Sequence, residues 1–199
     1  MKKLVIIGAG GHGRVAADIA RLNGYDDIIY LDDADVPLAS GKVSDYVRYI
    51  GIADFIIAIG NNRIRERIQT MLMNSGGHVV TLIHPNAVIG SDVEIGTGTV
   101  VMAGIVVNTG ARIGEGVILN TCCSVDHDCR VEDYCHISVG AHLAGSVTVG
   151  RLCFVCAGAT VINNIAICDE CVISAGAVVV RNIERAGTYI GVPAKEIHK

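Results

Sequence analysis

Two patterns of hydrophobic positions divide the chain. In the first eighty residues, short apolar runs alternate with amphipathic segments, which is typical of parallel strands joined by helices and covered on both faces. The predicted strands are Leu4–Ile7, Ile28–Leu31 and Phe55–Ile59, the helices are Arg14–Leu22 and about 62–74, and Val79–Leu82 is a candidate edge strand. This part is therefore expected to be a small α/β domain, residues 1–82.

From Ile83 onward the period becomes six. Every sixth residue from Ile83 to Val179 is aliphatic, seventeen positions in all, and the residue four places further on is small or branched. Neither a helical period of 3.6 nor strict alternation produces this pattern, whereas a hexapeptide β-helix repeat does. Residues 83–184 are therefore predicted to form an all-β coil whose aliphatic residues point inward, followed by a C-terminal tail, 185–199.

Composition narrows the classes of partner. The net charge is −4 and no basic cluster occurs, which argues against a nucleic-acid partner. The start "MKKLVIIGAGGHG" is too short and too rich in glycine for a signal peptide, and no segment predicts a membrane span. We expect a cytoplasmic protein whose eight cysteines are reduced.

The cysteines suggest a zinc site that the six-residue register argues against. Cys153-x-x-Cys156 and Cys168-x-x-Cys171 have the spacing of a zinc ribbon. The register, however, puts Cys135, Cys153 and Cys171 eighteen residues apart at the small inward position, as a buried ladder. Cys123 and Cys129 share that position, and Cys156 and Cys168 are expected to lie on different faces without converging on the others. No metal is predicted.

A glycine-rich turn predicts phosphate binding in the first domain. Gly8-Ala9-Gly10-Gly11-His12-Gly13 follows a strand, opens a helix and precedes Asp32 by nineteen residues, as in dinucleotide-binding folds. Only about three strands precede the coil, so the domain is half of a Rossmann fold and suits a nucleotide with a small attachment. Gly60, Asn61 and Asn62 end the third strand and should face the same crevice.

These motifs together resemble one family over almost the whole chain. "GAGGHG", "YLDD" and "AIGNN", followed by hexads containing "ILNT", "VDHDC" and a later histidine, are similar to the bacterial nucleotide-sugar acetyltransferases of the hexapeptide-repeat family. The resemblance implies a left-handed parallel β-helix with three hexads per coil, a homotrimer, and acetyl-CoA bound between subunits.

The resemblance also implies roles for individual residues. His127 is the catalytic base, Asp128 raises its basicity in place of a family Glu, and Asn120 lies near the reacting centre. The sugar nucleotide is expected at Gly10, Gly11, His12, Asp32, Asp33, Gly60 and Asn61, and acetyl-CoA at His136, Gly145, Ala157, Ala175 and Lys195. Asp126 and His142 receive no role, although His142 is expected at a surface or an interface.

Spacing adds an independent expectation about the coil. His127 and Gly145 lie eighteen residues apart and should stack on one ladder, while Ala157 and Ala175 should stack on another. His127 holds the third place of its hexad, near a corner from which a side chain projects outward. An imidazole suits general-base chemistry near neutral pH, with Asp128 holding its tautomer.

The expected activity is acetyl transfer from acetyl-CoA to the amino group of a nucleotide-linked sugar, with a UDP-linked 4-amino-4,6-dideoxy sugar favoured. O-acetylation of sialic acid or another sugar is the alternative, because the sequence does not distinguish an amine from a hydroxyl acceptor. A metalloenzyme resembling the hexapeptide-type carbonic anhydrases is less consistent, since His127, His136 and His142 have a different spacing. A non-catalytic nucleotide-binding module is the remaining alternative.

Overall fold

The N-terminal domain is a four-stranded parallel sheet with helices on both faces. The computed structural model describes residues 2–197, so Met1 of the predicted domain 1–82 and His198 and Lys199 of the predicted tail lie outside the described residues. The elements are β1 (Lys3–Ile7), α1 (Gly11–Leu22), β2 (Asp27–Leu31), a 3₁₀ helix (Val43–Tyr49), β3 (Asp54–Ile57), α2 (Asn62–Asn74) and β4 (His78–Val79). The strand order is β2-β1-β3-β4.

Alternate residues of each strand are buried on opposite faces of this sheet. Leu4, Ile6 and Ile56 pack on one side with the small residues of α1, and this cluster continues into the interior of the C-terminal coil. Phe55 and Leu72 belong to a second cluster, on the side of α2. The near-continuous apolar strands of the sequence are explained by this double burial.

Three elements have a boundary that differs from the sequence prediction by two residues or more. Helix α1 begins at Gly11, three residues earlier than predicted, since the glycine turn itself enters the first helical turn. Strand β3 ends at Ile57, and the edge strand is His78–Val79 rather than Val79–Leu82. Leu82 instead starts the first strand of the coil, because its backbone N–H bonds to the Thr99 carbonyl (3.0 Å) and pairs with the next coil.

The rest of the chain forms a left-handed parallel β-helix of about six turns. Its first face consists of Leu82–Ile83, Val100–Val101, Ile118–Leu119, His136–Ile137, Phe154–Val155 and Val172–Ile173. The second face consists of Val88–Ile89, Val106–Val107, Ser124–Val125, His142–Leu143, Thr160–Val161 and Val178–Val179. The third face consists of Glu94–Ile95, Arg112–Ile113, Arg130–Val131, Thr148–Val149 and Ala166–Ile167. Partners on each face lie eighteen residues apart, as three hexads per coil require.

The six-residue pattern predicted the interior of the coil correctly. Val101, Leu119, Ile137 and Val155 have no exposed surface, and the cysteines at the small position, such as Cys135, are equally buried. Aliphatic side chains of each coil rest on those of the next, about 4.8 Å away, so the core is a continuous apolar column.

The cysteine prediction was correct for the ladder and wrong for Cys168. Cys171 donates its backbone N–H to the sulfur of Cys153 (3.3 Å), as stacked positions should. Cys168, however, lies 3.6 Å sulfur to sulfur from Cys171 instead of apart from it. The two residues flank a single corner, which brings their side chains together across the turn.

A short antiparallel hairpin, Thr188–Ile190 with Lys195–Ile197, extends the first face beyond the last coil. Its connection contains the "GVP" segment, with a cis peptide bond before Pro193. In the part of the chain that the structure describes, no helix has both the length and the apolar character needed to cross a bilayer.

Candidate functional site

His127 lies at the corner between the second and third faces, where its imidazole meets two carboxylates. Its Nδ1 is 2.8 Å from Asp128 Oδ2, and its side chain is 54% exposed. Asp128 adopts a left-handed backbone (φ 58°) that turns the chain at this corner. The Asp that replaces the family's longer Glu therefore still reaches the ring.

Asp126 is the residue of this corner for which the sequence offered no role. Its Oδ1 accepts the backbone N–H of His127 (2.8 Å) and the side-chain amide of Asn108 (2.7 Å). The hydrogen bond to Asp128, followed by the charge of Asp126, raises the pKa of His127. The two carboxylates thus strengthen the imidazole as a base and fix its proton on Nδ1, leaving Nε2 free to accept.

Gly145 lies directly under the imidazole, one coil further on, as the spacing predicted. A Cβ added at Gly145 would lie 2.5 Å from His127 Nε2 and 2.7 Å from Cε1. The absence of a side chain at residue 145 is therefore what lets the ring rest against the coil. The two residues also share a backbone register, since the Ser146 N–H bonds to the His127 carbonyl (2.9 Å).

Ala157 and Ala175 lie on a different corner, between the first and second faces. Both are exposed, and the Gly176 N–H donates to the Ala157 carbonyl (3.0 Å), so they stack on successive coils. A ligand that touches both this ladder and that of His127 would have to span one face of the coil or bridge two subunits.

Asn120 and His136 come together on the first face, apart from the corner of His127. Asn120 Nδ2 donates to His136 Nε2 (3.1 Å), and the His136 ring stacks on Phe154 at a centroid distance of 4.8 Å. Within one chain, Asn120 therefore supports His136 and not His127. The family resemblance assigned Asn120 to the reacting centre and His136 to acetyl-CoA, without indicating this contact.

His136 lines a crevice of about 530 Å³ between the coil and the start of α2. The other lining residues are Gly60, Asn61, Asn62, Arg63, Leu152, Phe154, Glu170 and Val172. An ion pair between Arg63 and Glu170 (2.6 Å) closes one rim. Gly60 and Asn61, predicted from the end of the third strand, thus face the coil across a polar cleft with an apolar floor.

Two imidazoles are held neutral, His136 at this crevice and His12 in the glycine turn. Burial, and then the charge of Arg65, lower the pKa of His12 to about 4, and the same two causes, followed by His12, lower the pKa of His136 to about 4. His12 Nε2 and His136 Nδ1 are buried, and neither has a hydrogen-bond partner in the described part of the chain. Both nitrogens therefore keep an unused hydrogen-bonding capacity inside the protein.

The glycine turn lines a second pocket, which lies within the N-terminal domain. Gly8 (φ 110°) and Gly13 allow close approach, since a Cβ on either would lie 2.6 Å or less from a carbonyl oxygen. Gly10 and Gly11 face open space and line a pocket of about 410 Å³ with Arg14 and residues 36–38. The α1 N-terminus lacks a side-chain cap, so its N–H groups are free for an anion.

The two predicted aspartates differ in how many of their carboxylate oxygens already accept hydrogen bonds. Asp32 accepts the backbone N–H of Ala9 at Oδ2 (2.8 Å) and of Ala34 at Oδ1 (2.9 Å), so it ties the glycine turn to the end of β2. Asp33 is exposed and accepts the Val43 N–H (3.0 Å). Asp32 therefore shapes the pocket of the glycine turn through Ala9, whereas Asp33 lines a separate cavity with Val43 and Tyr46.

Lys195 lies in the C-terminal hairpin, at a third crevice of about 520 Å³ between the hairpin and the last coil. It is exposed, and Arg181 lines the same space. No group of three or more His, Cys, Asp or Glu side chains within residues 2–197 is arranged to hold a metal ion. Arg65 and Phe154 were missed by sequence reasoning, since nothing in their spacing marks them as part of a site, whereas Asn62 lines the crevice as predicted.

Comparison with known proteins places these features in one family. Residues 3–72 match the family described as the PglD N-terminal domain. A UDP-N-acetylbacillosamine N-acetyltransferase of Bacillus subtilis (strain 168) is 36% identical over 114 residues, which are 51% of this chain and 52% of that protein. The match thus spans about half the length of this curated relative.

Two solved structures match the whole chain. The acetyltransferase domain of PglB from Neisseria gonorrhoeae FA1090, in complex with acetyl coenzyme A, is 38% identical with a TM-score of 0.94, covering 98% of this chain and 99% of that one. PerB from Caulobacter crescentus, in complex with CoA and GDP-perosamine, is 37% identical with a TM-score of 0.92, covering 100% and 98%. The chain therefore belongs to the hexapeptide-repeat, left-handed β-helix family of nucleotide-sugar acetyltransferases.

Proposed function

We propose that this protein transfers the acetyl group of acetyl-CoA to the amino group of a nucleotide-linked amino sugar, with His127 as the general base. The observation that carries the proposal is the 2.8 Å contact between His127 Nδ1 and Asp128 Oδ2 at an exposed corner, which leaves Nε2 free. The matched structures bound to acetyl-CoA, or to CoA with GDP-perosamine, support the two substrates.

The chemical step needs one proton acceptor and no covalent enzyme intermediate. The sugar nitrogen attacks the thioester carbonyl carbon while His127 Nε2 takes a proton from that nitrogen. The tetrahedral intermediate then collapses, breaks the C–S bond and releases CoA as the thiol after it receives the proton from the imidazolium. Asp128 stabilises the imidazolium throughout. Cys122 and Cys123 are not needed as nucleophiles, and burial raises the pKa of Cys123 to about 12, away from its thiolate form.

The preferred acceptor is a UDP-linked 4-amino-4,6-dideoxy sugar. The activity for which the Bacillus subtilis relative is named supports a UDP-linked substrate, whereas PerB binds a GDP-linked one, so both nucleotides belong in the test. Sialic acid or another sugar hydroxyl is the rival acceptor. We further propose that Gly10, Gly11, His12, Asp32, Asp33, Gly60 and Asn61 bind the nucleotide sugar, and that His136, Gly145, Ala157, Ala175 and Lys195 bind acetyl-CoA.

We also propose a homotrimer acting in the cytoplasm. A trimer would let one acetyl-CoA contact the ladder of Ala157 on one subunit and that of Gly145 on its neighbour. All eight cysteines are unpaired, including Cys168 and Cys171, which supports a reducing compartment.

A free-thiol release assay with acetyl-CoA and a panel of UDP-, GDP- and CMP-linked sugars tests the proposal. The parent protein is expected to release CoA with a 4-amino sugar, and His127→Ala to lower the rate by about 10²–10⁴-fold, the usual contribution of a general base. His142→Ala is the matched control, since His142 is another exposed histidine of the coil and its imidazole contacts a neutral hydroxyl, that of Ser124 (2.8 Å), instead of a carboxylate. A His127→Ala rate near that of the parent would rule out the assigned base.

A further inference from the structure

Helix α2 is fastened to the coil by polar side chains that reach successive coil corners. Asn62 Nδ2 donates to the carbonyls of Leu152 (2.9 Å) and Cys153 (3.0 Å). One turn later, Arg65 reaches the carbonyls of Tyr134 and Gly116, and Gln69 Nε2 donates to the Thr97 carbonyl (3.1 Å).

The spacing of these contacts reflects a match between two periodic structures. The four carbonyl positions, at residues 152, 134, 116 and 97, are eighteen or nineteen residues apart, which is one coil, or about 4.8 Å. The helical residues are three and four apart, which is about 4.5 to 6 Å of helix rise. Three residues of α2 therefore reach four successive coils, because Arg65 bonds to two of them. This set of contacts gives the helix one favoured height along the coil axis.

Arg65 is the central residue of this row and makes the largest number of hydrogen bonds in it. It has no exposed surface, and every one of its partners is neutral. Nε donates to Gly116 O (2.6 Å), Nη1 to Ile59 O (2.8 Å) and Gly60 O (3.3 Å), and Nη2 to Tyr134 O (2.8 Å), Cys135 O (3.2 Å) and Asn62 Oδ1 (2.9 Å). Only a planar guanidinium offers five N–H groups in a fixed fork for such a set.

The same guanidinium links the coil to the turn that lines the candidate site. The carbonyls of Ile59 and Gly60 belong to the end of β3, whereas those of Gly116, Tyr134 and Cys135 belong to two coils. Gly60 and His136 face each other across the 530 Å³ crevice. Holding these two groups of carbonyls together sets the width of that crevice.

We propose that Arg65 is a positioning residue for acetyl transfer: it seats the Gly60–Asn62 turn at one height on the coil, opposite His136, so that a nucleotide sugar held by the N-terminal domain reaches the coil in the reactive pose. This inference rests on the proposed function. It assigns Arg65 no contact with either substrate, and its effect passes entirely through the placement of the turn.

The test compares Arg65→Gln and Arg65→Lys with Arg21→Gln, an exposed cation of α1 that pairs only with Asp18 (2.9 Å). For Arg65→Gln we expect kcat/KM for the nucleotide sugar to fall by about 10²-fold, because small misplacements have that effect. Binding of acetyl-CoA, measured by titration calorimetry, should change by less than about twofold. Among the proposed acetyl-CoA residues only His136 adjoins a carbonyl that Arg65 holds, and Gly145, Ala157, Ala175 and Lys195 lie elsewhere on the coil and the hairpin. Arg65→Lys should recover part of the loss, and Arg21→Gln should match the parent.

Hydrogen exchange separates this inference from the proposed function. In Arg65→Gln, amides of residues 59–69 should exchange at least about tenfold faster, while those of the coil strands keep the parent rates, because a local opening is involved. If the parent acetylates no nucleotide sugar, the proposed function fails, and the exchange measurement alone then decides the role of Arg65. Unchanged exchange, or an equal loss of affinity for both substrates, would overturn the inference.

A milder variant applies if Arg65→Gln does not fold. Gln69→Met removes one hydrogen bond at the end of α2 remote from the crevice and keeps the length of the side chain. Loss of one neutral hydrogen bond corresponds to about fivefold, so a two- to fivefold rise in exchange at residues 59–69 is expected. Exchange equal to that of the parent would count against the seating of the turn by α2.

Discussion

Gly145→Ala is expected to inactivate the enzyme without unfolding it. The added Cβ would lie 2.5 Å from His127 Nε2, against an ordinary contact distance of 3.4 to 4 Å, so the imidazole must move by about 1 Å. The ring is exposed and flexible, so it moves at little cost, and the free energy of unfolding should change by less than about 0.5 kcal/mol. A 1 Å displacement of a catalytic group is worth about 10²-fold in rate.

A double-mutant cycle isolates this effect from any change in acetyl-CoA binding at residue 145. Gly145→Ala should lower kcat about 10²-fold in the parent and leave the residual rate of His127→Ala unchanged, since no imidazole remains to be displaced. The assay is CoA release at saturating acetyl-CoA, with thermal unfolding as the check on folding. An equal loss in both backgrounds would show that Gly145 acts on acetyl-CoA alone, and a parent-like rate would show that Nε2 is not the reacting atom.

Three further predictions concern charge, pH and metal. Asp128→Asn removes the main cause of the raised pKa of His127, so the acidic limb of the kcat/KM profile should move to lower pH, with a lower plateau; an unmoved limb would mean that another group titrates. His12 and His136 have a pKa of about 4 in the folded protein and near 6.5 when unfolded, so the unfolded chain binds more protons between these two values. The stability present above pH 6.5 is therefore lost as pH falls towards 4, by on the order of 3 kcal/mol per imidazole. Urea unfolding at pH 5 and 7.5 checks this, and the double variant with His12→Gln and His136→Gln should flatten the dependence. Prolonged treatment with a chelator should leave acetyl transfer unchanged, and loss of activity restored by Zn²⁺ would contradict the structural role given to the cysteines.

Most of the fold could be predicted from the six-residue register of the sequence. It predicted which cysteines are buried and that Gly145 lies beneath His127, because every coil repeats the same backbone geometry. The failure at Cys168 has the same origin. A register describes which face a residue occupies, and it does not describe how two side chains meet across one corner.

Contacts between the two domains had no sequence signal. Arg65 and Asn62 bond mainly to backbone carbonyls, which every residue type carries, so the partners of these side chains leave no pattern in the sequence. The pairing of Asn120 with His136 was missed for a different reason. Both were assigned from family resemblance to separate roles, and only the stacking of coils brings them to 3.1 Å.

The row of hydrogen bonds from α2 to four successive coils has a consequence for how members of this fold can diverge. A coil is an indivisible unit of eighteen residues, so the chain can lengthen or shorten there only by whole coils without exposing its core. Any such change within residues 97–152 moves the carbonyls that accept hydrogen bonds from α2 by a full step of about 4.8 Å. The distance between the glycine turn and the corner of His127 can therefore change only in steps of one coil. Substrates of different size have to be accommodated by side-chain substitution at the crevice.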